Sequence, residues 1–336
     1  RRQRQMCIRD RYDDFRSLTG MNTVALILMT LIDKGTKILI TDPQAGGHGS
    51  LPKLCDNLGI QYAPIPYDYM RMQIDYDGLN QILEQDSRVS FLFFCQSDII
   101  QPPELQKINL PPKVGIIYDA TQTLGLIAGG ALPNPLEACQ NIIMIGGTHK
   151  TFPSVTCGYV ATNNDNYINR VKQNISPNFL RNVQVNNITS VCLSMLEMLK
   201  FGEAYAQKII WTANALGDAL SGDGLRVKCT EDGAFSHTHQ LFIEVPKEQV
   251  DISYTHFRNY GITLNKRKTA YLTGFRLGVQ EIARYHFDEH IANLAHLLCL
   301  VLNSPEKYHE IMNLKATLAL CKSDQYVIDD LFMELE

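Results

Sequence analysis

Short apolar runs alternate with amphipathic stretches along the first half of the chain. The amphipathic stretches place apolar residues three and four positions apart, which is typical of helices with one buried face. The apolar runs are short and predict buried strands. The predicted helices span residues 22–33, 50–58 and 77–84, and the predicted strands span residues 37–41, 61–65, 89–95, 114–119, 142–145 and 158–161. Helices alternating with such strands predict an α/β fold, in which a mostly parallel sheet is covered on both faces.

The second half of the chain begins with a long helical stretch over residues 187–220. Beyond it the pattern predicts strands at residues 226–229, 240–245, 262–264 and 275–278, and helices at residues 254–259, 288–303 and 305–320. These elements indicate a smaller α+β domain. We therefore expect a large domain over residues 12–200 and a small C-terminal domain over residues 201–336, joined through the long helix. Ligands of such folds bind beyond the carboxyl ends of the parallel strands.

The first eleven residues differ in charge from the rest of the chain. The 336 residues have a formal net charge of −4, but residues 1–11 hold five arginines against one aspartate, so the remainder carries −8. Residues 6–11 read MCIRDR, which resembles the in-frame translation of a transposase-end sequencing adapter. We interpret residues 1–11 as an artefact, and we expect the natural protein to be longer at its N-terminus.

Composition and charge indicate a globular protein and argue against membrane and nucleic-acid partners. A chain with 45% hydrophobic and 20% charged residues is typical of a globular protein. The longest apolar run, residues 24–32, is shorter than the roughly 20 residues that cross a bilayer, so we expect no membrane partner. The acidic body has no basic stripe, which argues against a nucleic-acid partner.

The nine cysteines are scattered and form neither a CxxC pair nor a metal-ligand spacing with histidine. This usage indicates reduced thiols in a cytoplasmic protein, and it predicts no metal site. A nucleophilic cysteine is the functional alternative, but no cysteine lies in a recognisable local signature.

Two charged residues follow successive predicted strands and are expected at one edge of the sheet. Asp119 ends the strand 114–119, and Lys150 follows the strand 142–145. Alone, Asp119 is better explained as a helix N-cap and Lys150 as a solvated loop lysine. Together they fit pyridoxal phosphate, whose aldehyde forms a Schiff base with a lysine and whose ring nitrogen is kept protonated by a carboxylate.

Two turns could hold other parts of such a cofactor. Residues 17–22, SLTGMN, enter the first helix, where hydroxyls, a glycine and the helix dipole favour a phosphate; an ordinary cap explains them equally well. Residues 46–50, GGHGS, follow the strand 37–41 without a GK[ST] or GxGxxG signature. Their glycines allow close backbone approach and leave His48 free to lie flat on an aromatic ring, with a structural histidine as the alternative.

Four motifs together resemble those of the serine hydroxymethyltransferase family, in that family's order and at similar spacing. They are residues 46–48 (GGH), 119–130 (DATQTLGLIAGG), 148–151 (THKT) and 273–278 (TGFRLG). The likeness runs over residues 17–285. It implies the fold type I, aminotransferase-like architecture of pyridoxal-phosphate enzymes and an N-terminally truncated member of the family.

The resemblance also implies an activity and its residues. The activity is reversible cleavage of the Cα–Cβ bond of serine or a related β-hydroxy amino acid, with tetrahydrofolate as a possible co-substrate, in a homodimer or larger assembly. Lys150 corresponds to the Schiff-base lysine, Asp119 to the partner of the ring nitrogen and His48 to the residue stacked on the ring. The remaining assignments are Ser17, Thr19 and Gly20 for the phosphate, Arg276 for the substrate carboxylate, His149, Thr148 and Gln122 for proton handling or hydrogen bonds to the cofactor, and His239 as a structural histidine.

Several positions depart from the family's pattern. Leu18 stands where the family has glycine, Gln122 replaces a histidine beside the cofactor, and Thr156 replaces an arginine. Nothing before Ser17 matches the family's first segment, which supplies acid/base and folate contacts. We therefore expect weak activity or none from this chain. A folate-independent threonine aldolase or transaldolase-like biosynthetic enzyme is the main alternative, and a non-catalytic protein that retains the fold is another.

Overall fold

A computed structural model describes residues 12–321, except residue 286. The interpretation of residues 1–11 as an artefact, and the last part of the expected small domain, lie outside the described residues. The strands are β1 (Tyr12–Asp14), β2 (Lys37–Ile40), β3 (Gln61–Pro64), β4 (Tyr67–Asp68), β5 (Gln73–Ile74), β6 (Val89–Phe94), β7 (Gly115–Asp119), β8 (Ile142–Gly147), β9 (Gly158–Thr162), β10 (Arg226–Val227), β11 (Gln240–Glu244), β12 (Asn265–Lys268) and β13 (Thr273–Gly278). The α-helices are α1 (Gly20–Leu31), α2 (Ser50–Leu58), α3 (Tyr76–Gln85), α4 (Leu124–Ala128), α5 (Asp165–Asn174), α6 (Val185–Gly222), α7 (Val250–Asn259), α8 (Ile291–Asn303) and α9 (Tyr308–Leu318).

Seven strands form one large sheet in the order β1-β9-β8-β7-β6-β2-β3. The five strands from β8 to β3 are parallel, whereas β9 pairs antiparallel with β8 and β1 pairs antiparallel with β9. The mostly parallel sheet predicted from the apolar runs is confirmed. Because β2, β6, β7 and β8 point the same way, the turns that follow them meet at one edge of the sheet.

Both faces of the large sheet are covered, as its apolar strands require. In β2, Ile38 and Ile40 pack on one face with residues of α1 and α2, while Leu39 packs on the other face with residues of α3 and α6. Successive strand side chains point to opposite faces, so a strand buried on both sides contains hardly any polar position. Ile27 of α1 is fully buried in the first of these layers.

A second sheet of four antiparallel strands, in the order β10-β11-β13-β12, lies in the second half of the chain. Helix α6 runs for 38 residues from the region of the large sheet to this smaller one. One continuous core includes Ile209 of α6, Met144 of the large sheet and Phe275 of the small sheet. The division at residue 200 stays a prediction. No helix within the described ranges is long and apolar enough to cross a membrane.

One predicted strand is misplaced. Residues 262–264 were expected to form a strand because they are apolar, but the strand is the following segment, Asn265–Lys268. Ile262 instead donates its backbone N–H to the carbonyl of Phe257 at the end of α7, and its side chain packs against the core. The strand itself is a charged edge, where solvent replaces one neighbour and no apolar pattern is needed.

Candidate active site

A cavity of about 540 Å³ opens at the carboxyl ends of the central parallel strands. Its walls come from the turns after β2, β6, β7 and β8, from the start of α1, and from β12 and β13 of the small sheet. Most of the residues predicted from the sequence line this cavity: Lys150, His149, Asp119, His48, Thr19, Gly20, Gln122 and Arg276. Ser17 and Thr148 do not.

Lys150 and His149 lie together in the turn after β8. Burial lowers the pKa of Lys150, and the positive charge of Arg276 lowers it further. Burial also lowers the pKa of His149, assisted by the charge of Lys150 and opposed by Asp119. Both shifts raise the fraction of neutral nitrogen near pH 7, which is the form that attacks a carbonyl or accepts a proton.

The carboxylate of Asp119 is fixed by three donors at the end of β7. Its Oδ1 accepts hydrogen bonds from the backbone N–H of Thr121 at 2.8 Å and from the Thr121 hydroxyl at 2.5 Å. The thiol of Cys95 donates to its Oδ2 at 3.2 Å. The Thr121 hydroxyl in turn accepts from the N–H of Gly147, which ties the ends of β7 and β8 together. Asp119 therefore holds a turn and does not cap α4, which begins at Leu124.

The start of α1 forms another wall. Thr19 is the N-cap, and its hydroxyl oxygen accepts the N–H of Asn22 at 3.2 Å. Gly20 is the first helical residue, and a Cβ there would lie 3.1 Å from the backbone nitrogen of Gly147. The helix N-terminus thus approaches the end of β8 closely and lines the cavity, where the positive end of the helix dipole favours an anion.

The glycine-rich turn after β2 brings His48 to the cavity and also supports the neighbouring turn. Gly46 has φ of +84°, a conformation that glycine adopts without strain. Its carbonyl accepts the N–H groups of Ser97 and Asp98 at 2.7 and 3.0 Å, and the N–H of His48 donates to the carbonyl of Cys95 at 2.8 Å. These three hydrogen bonds lock the turns after β2 and β6 together.

Arg276 reaches the cavity from the small sheet. Its Nη1 donates to the carbonyl of Ser97 at 2.8 Å and to Oδ1 of Asp98 at 2.5 Å, and its side chain is 12% exposed. Burial lowers the pKa of Arg276, and the carboxylate of Asp98 opposes that shift. The guanidinium is therefore held by two fixed acceptors at the cavity wall and is not a solvated surface charge.

Two predicted residues use their hydroxyls elsewhere. The Ser17 hydroxyl accepts a hydrogen bond from Thr23 Oγ1 at 3.0 Å. The Thr148 hydroxyl donates to the carbonyl of Val155 at 2.6 Å and accepts the N–H of Cys157 at 3.1 Å. A phosphate contact for Ser17 and a role in proton handling for Thr148 stay predictions.

Gln122 and His239 belong to a buried polar network next to the cavity. The Gln122 side-chain oxygen accepts from Nε2 of Gln240 at 3.1 Å, and the Gln240 oxygen accepts the N–H of Ile99 at 2.9 Å. Burial, with the charges of Arg276 and Lys150, lowers the pKa of His239 to about 3. His239 is therefore neutral at physiological pH, and its structural role stays a prediction.

Several lining residues were not found from the sequence, among them Cys95, Ser97 and Arg267. Cys95 and Ser97 follow β6 directly, so the same strand-end rule that selects Asp119 would have found them. Arg267 lies in the charged edge strand β12, which carries no apolar signal, and nothing in its local sequence separates it from Lys266 and Lys268.

The chain is similar to serine hydroxymethyltransferases over most of its length. A family model described as serine hydroxymethyltransferase matches residues 10–298. The serine hydroxymethyltransferase of Sulfolobus acidocaldarius is 32% identical over 295 residues, which are 83% of this chain and 67% of that protein. That of Picrophilus torridus is 31% identical over 301 residues, which are 85% of this chain and 69% of that protein.

A solved structure has a similar fold. The crystal structure of L-threonine transaldolase from Pseudomonas fluorescens superposes with a TM-score of 0.86 and covers 100% of this chain and 80% of that chain. Its sequence identity of 23% limits the likeness to the fold. The predicted fold class, a fold type I α/β architecture, is confirmed.

Proposed function

Because this chain belongs to the serine hydroxymethyltransferase family, we propose that it is a pyridoxal-phosphate-dependent transferase acting on the Cα–Cβ bond of serine or a related β-hydroxy amino acid. One observation carries the proposal: Lys150, Asp119, His48 and Arg276, which lie far apart in sequence, line one cavity. When bound, pyridoxal phosphate supplies an electron sink for the electrons released as a bond at Cα breaks.

The residues present fit this cofactor. The cavity of about 540 Å³ lies within the usual range for small-molecule sites, roughly 300–1,000 Å³. Lys150, with its lowered pKa, would be the amine to which the cofactor's aldehyde attaches. Oδ2 of Asp119 accepts one thiol hydrogen bond and keeps a further lone pair for a ring N–H. The start of α1 at Thr19 and Gly20 would hold the phosphate.

The remaining roles follow from charge and position. Arg276 would bind the α-carboxylate of the amino acid and so fix the orientation of the bonds at Cα. His149, which its lowered pKa keeps mostly neutral, would accept the proton of a β-hydroxyl group during cleavage and return it in the reverse direction. His48 would pack on one face of the cofactor ring and exclude water there.

One observation favours the folate-independent alternative, a threonine aldolase or transaldolase-like enzyme. The amide of Gln122 is held by Gln240 and cannot titrate, so acid/base catalysis at that position is absent. Cleavage of serine with and without tetrahydrofolate separates the two activities. Aldehyde release that does not depend on folate favours the alternative, and stimulation by folate favours the hydroxymethyltransferase.

Other parts of the proposal concern the whole protein. We place the enzyme in the cytoplasm and in one-carbon metabolism, with tetrahydrofolate as a possible co-substrate, and we divide it into domains over residues 12–200 and 201–336. A homodimer is supported by exposed apolar side chains near the start of α6, namely Phe179, Val183, Val185 and Leu193. Exposed apolar side chains that lie close together in sequence are a feature of interfaces between subunits.

A spectral titration tests the proposed function. Protein mixed with pyridoxal phosphate should develop an absorbance band distinct from that of the free cofactor, and glycine should change that band. Lys150→Ala should abolish the band, whereas Lys34→Ala, which removes an exposed lysine, should leave it unchanged. A band that survives Lys150→Ala would refute the assignment. A band that glycine does not change would favour a non-catalytic protein that retains the fold.

A further inference from the structure

Asp98 is shared by two arginines at the wall of the cavity. The residue lies in the turn that follows β6 of the large sheet, and its side chain is 4% exposed. Arg267 approaches it as a fork, with Nε 2.7 Å from Oδ2 and Nη2 2.8 Å from Oδ1. Nη1 of Arg276 lies 2.5 Å from Oδ1, and the hydroxyl of Tyr271 donates to Oδ2. Both oxygens of this buried carboxylate thus accept hydrogen bonds from β12, β13 and the turn between them.

The two arginines reach the cavity from the same face of the small sheet. In the antiparallel register, Asn265 lies opposite Arg276 and Arg267 lies opposite Gly274. Opposed residues point to the same face of a sheet, so Arg267 and Arg276 are diagonal neighbours on it. Both arginines line the cavity that contains Lys150.

The charges of this cluster do not balance. Two guanidinium groups share one carboxylate, which leaves one positive charge in a site where the side chains of Arg267 and Arg276 are 25% and 12% exposed. Desolvated charge without a counter-ion is costly, and two guanidinium groups this close repel each other. One further carboxylate in the cavity would make the cluster of Asp98 and the two guanidinium groups neutral. It would also accept hydrogen bonds from guanidinium N–H groups that do not bind Asp98.

We propose that Arg267 and Arg276 together form a two-guanidinium site for the α-carboxylate of the amino acid, with Asp98 as the positioning residue that holds the pair. The inference rests on the proposed function, which assigns only Arg276 to this carboxylate. Asp98 makes the pair possible because it offsets one charge and fixes both side chains. If Arg267 were absent, Asp98 would neutralise Arg276 alone and no net positive charge would attract the ligand.

The test compares Arg267→Met with Lys268→Met in the spectral titration. Lys268 follows Arg267 in β12 and pairs with Asp251, so its replacement removes the same charge from the same strand on the opposite face. Loss of a charge-assisted contact predicts that Arg267→Met raises the dissociation constant of glycine about tenfold or more. Lys268→Met should change it less than about twofold. Arg267→Lys keeps the charge without the fork and should give an intermediate value.

A ligand without a carboxylate separates binding from general damage to the site. Methylamine carries the amino group of glycine but no carboxylate, so Arg267→Met should leave its dissociation constant unchanged. Equal losses for glycine and methylamine, or a glycine affinity that matches the unmodified protein, would overturn the inference. The kinetic counterpart is a raised KM for the amino acid with little change in kcat.

A measurement without cofactor keeps the inference separate from the proposed function. In cofactor-free protein, acetate should raise the thermal midpoint above that in chloride at equal ionic strength, and Arg267→Met should remove this difference. If the cofactor band is absent but the acetate effect follows Arg267, the proposed function fails and the carboxylate site stands. If acetate and chloride act alike on the unmodified protein, the carboxylate site is refuted.

Discussion

Gly46→Ala should destabilise the protein and loosen the site, and Gly35→Ala provides a matched control. Gly46 and Gly35 have nearly the same φ, +84° and +83°. A Cβ at position 35 meets nothing within 4 Å, whereas a Cβ at position 46 lies 2.6 Å from the backbone carbonyl oxygen of Asp98. The two substitutions therefore share an unfavourable positive φ and differ in the contact with Asp98.

The size of each effect follows from these distances. An alanine in the left-handed region costs about 1–2 kcal/mol, which is the whole effect expected for Gly35→Ala. At Gly46 the new methyl group is too close to a backbone atom, which no side-chain rotation relieves. Such overpacking adds about 1–3 kcal/mol, so Gly46→Ala should lose roughly 2–5 kcal/mol in total. The turn that carries Asp98 has to move, and with it the support of Arg276.

Thermal unfolding and glycine titration measure the two consequences. At about 2 °C per kcal/mol, the midpoint should fall by roughly 2–4 °C for Gly35→Ala and by roughly 4–10 °C for Gly46→Ala. Glycine affinity should fall only in Gly46→Ala. Equal midpoints for the two variants, with unchanged glycine affinity in both, would refute the view that the turn after β2 supports the turn after β6.

Three further predictions concern the surroundings of the cavity. The pKa of His239 is about 3 when folded and about 6.5 when unfolded, so the unfolded chain takes up the proton first as pH falls. The free energy of unfolding does not depend on this histidine above about pH 6.5. Below that pH it decreases, by about 2 kcal/mol at pH 5. Urea unfolding at about pH 6.5 and at pH 5 measures this loss of free energy, and His239→Gln should reduce it. An equal loss in the variant would argue against a buried neutral histidine. Burial raises the pKa of Cys55 to about 11 and that of Cys95 well above its usual value, so iodoacetamide near neutral pH should label the exposed Cys192 and Cys229 and spare both buried thiols in peptide mass spectrometry. Rapid labelling of Cys95 would show that its thiol is not held against Asp119. Thr121→Val leaves the N–H of Gly147 without its acceptor and should lower the free energy of unfolding by about 1–3 kcal/mol, while Thr121→Ser should retain the value of the unmodified protein.

The large sheet was predictable because burial on both faces leaves a strong signal in the sequence. The strands over residues 89–95 and 114–119 were placed to within one residue of β6 and β7, since each is a continuous apolar run. The charged edge strand β12 gave no such signal and was misplaced by the apolar residues before it. The hairpin of β4 and β5 was missed because each strand has only two residues, which is too short to show a periodicity.

The candidate site was predictable where one strand-end residue has distinctive chemistry. Asp119 and Lys150 were selected from their positions after buried strands, and both line the cavity. Asp98 and Arg267 were not selected, because their significance depends on a contact between residues 169 positions apart. A single sequence contains no local trace of such a pairing, and only the packing of the two sheets reveals it.

The link between Asp98 and the small sheet also determines when the site can form during folding. Its partners lie 169 and 178 residues further along the chain, and the 38-residue helix α6 lies between them. Contacts of such long range form slowly, because the intervening chain must first be ordered. The large sheet can therefore assemble early with the residues that we propose for cofactor binding, whereas Arg267 and Arg276 arrive with the last elements. We expect refolding protein to recover its affinity for the cofactor before its affinity for the amino acid. The delay between the two would then measure when the small sheet docks on the large sheet.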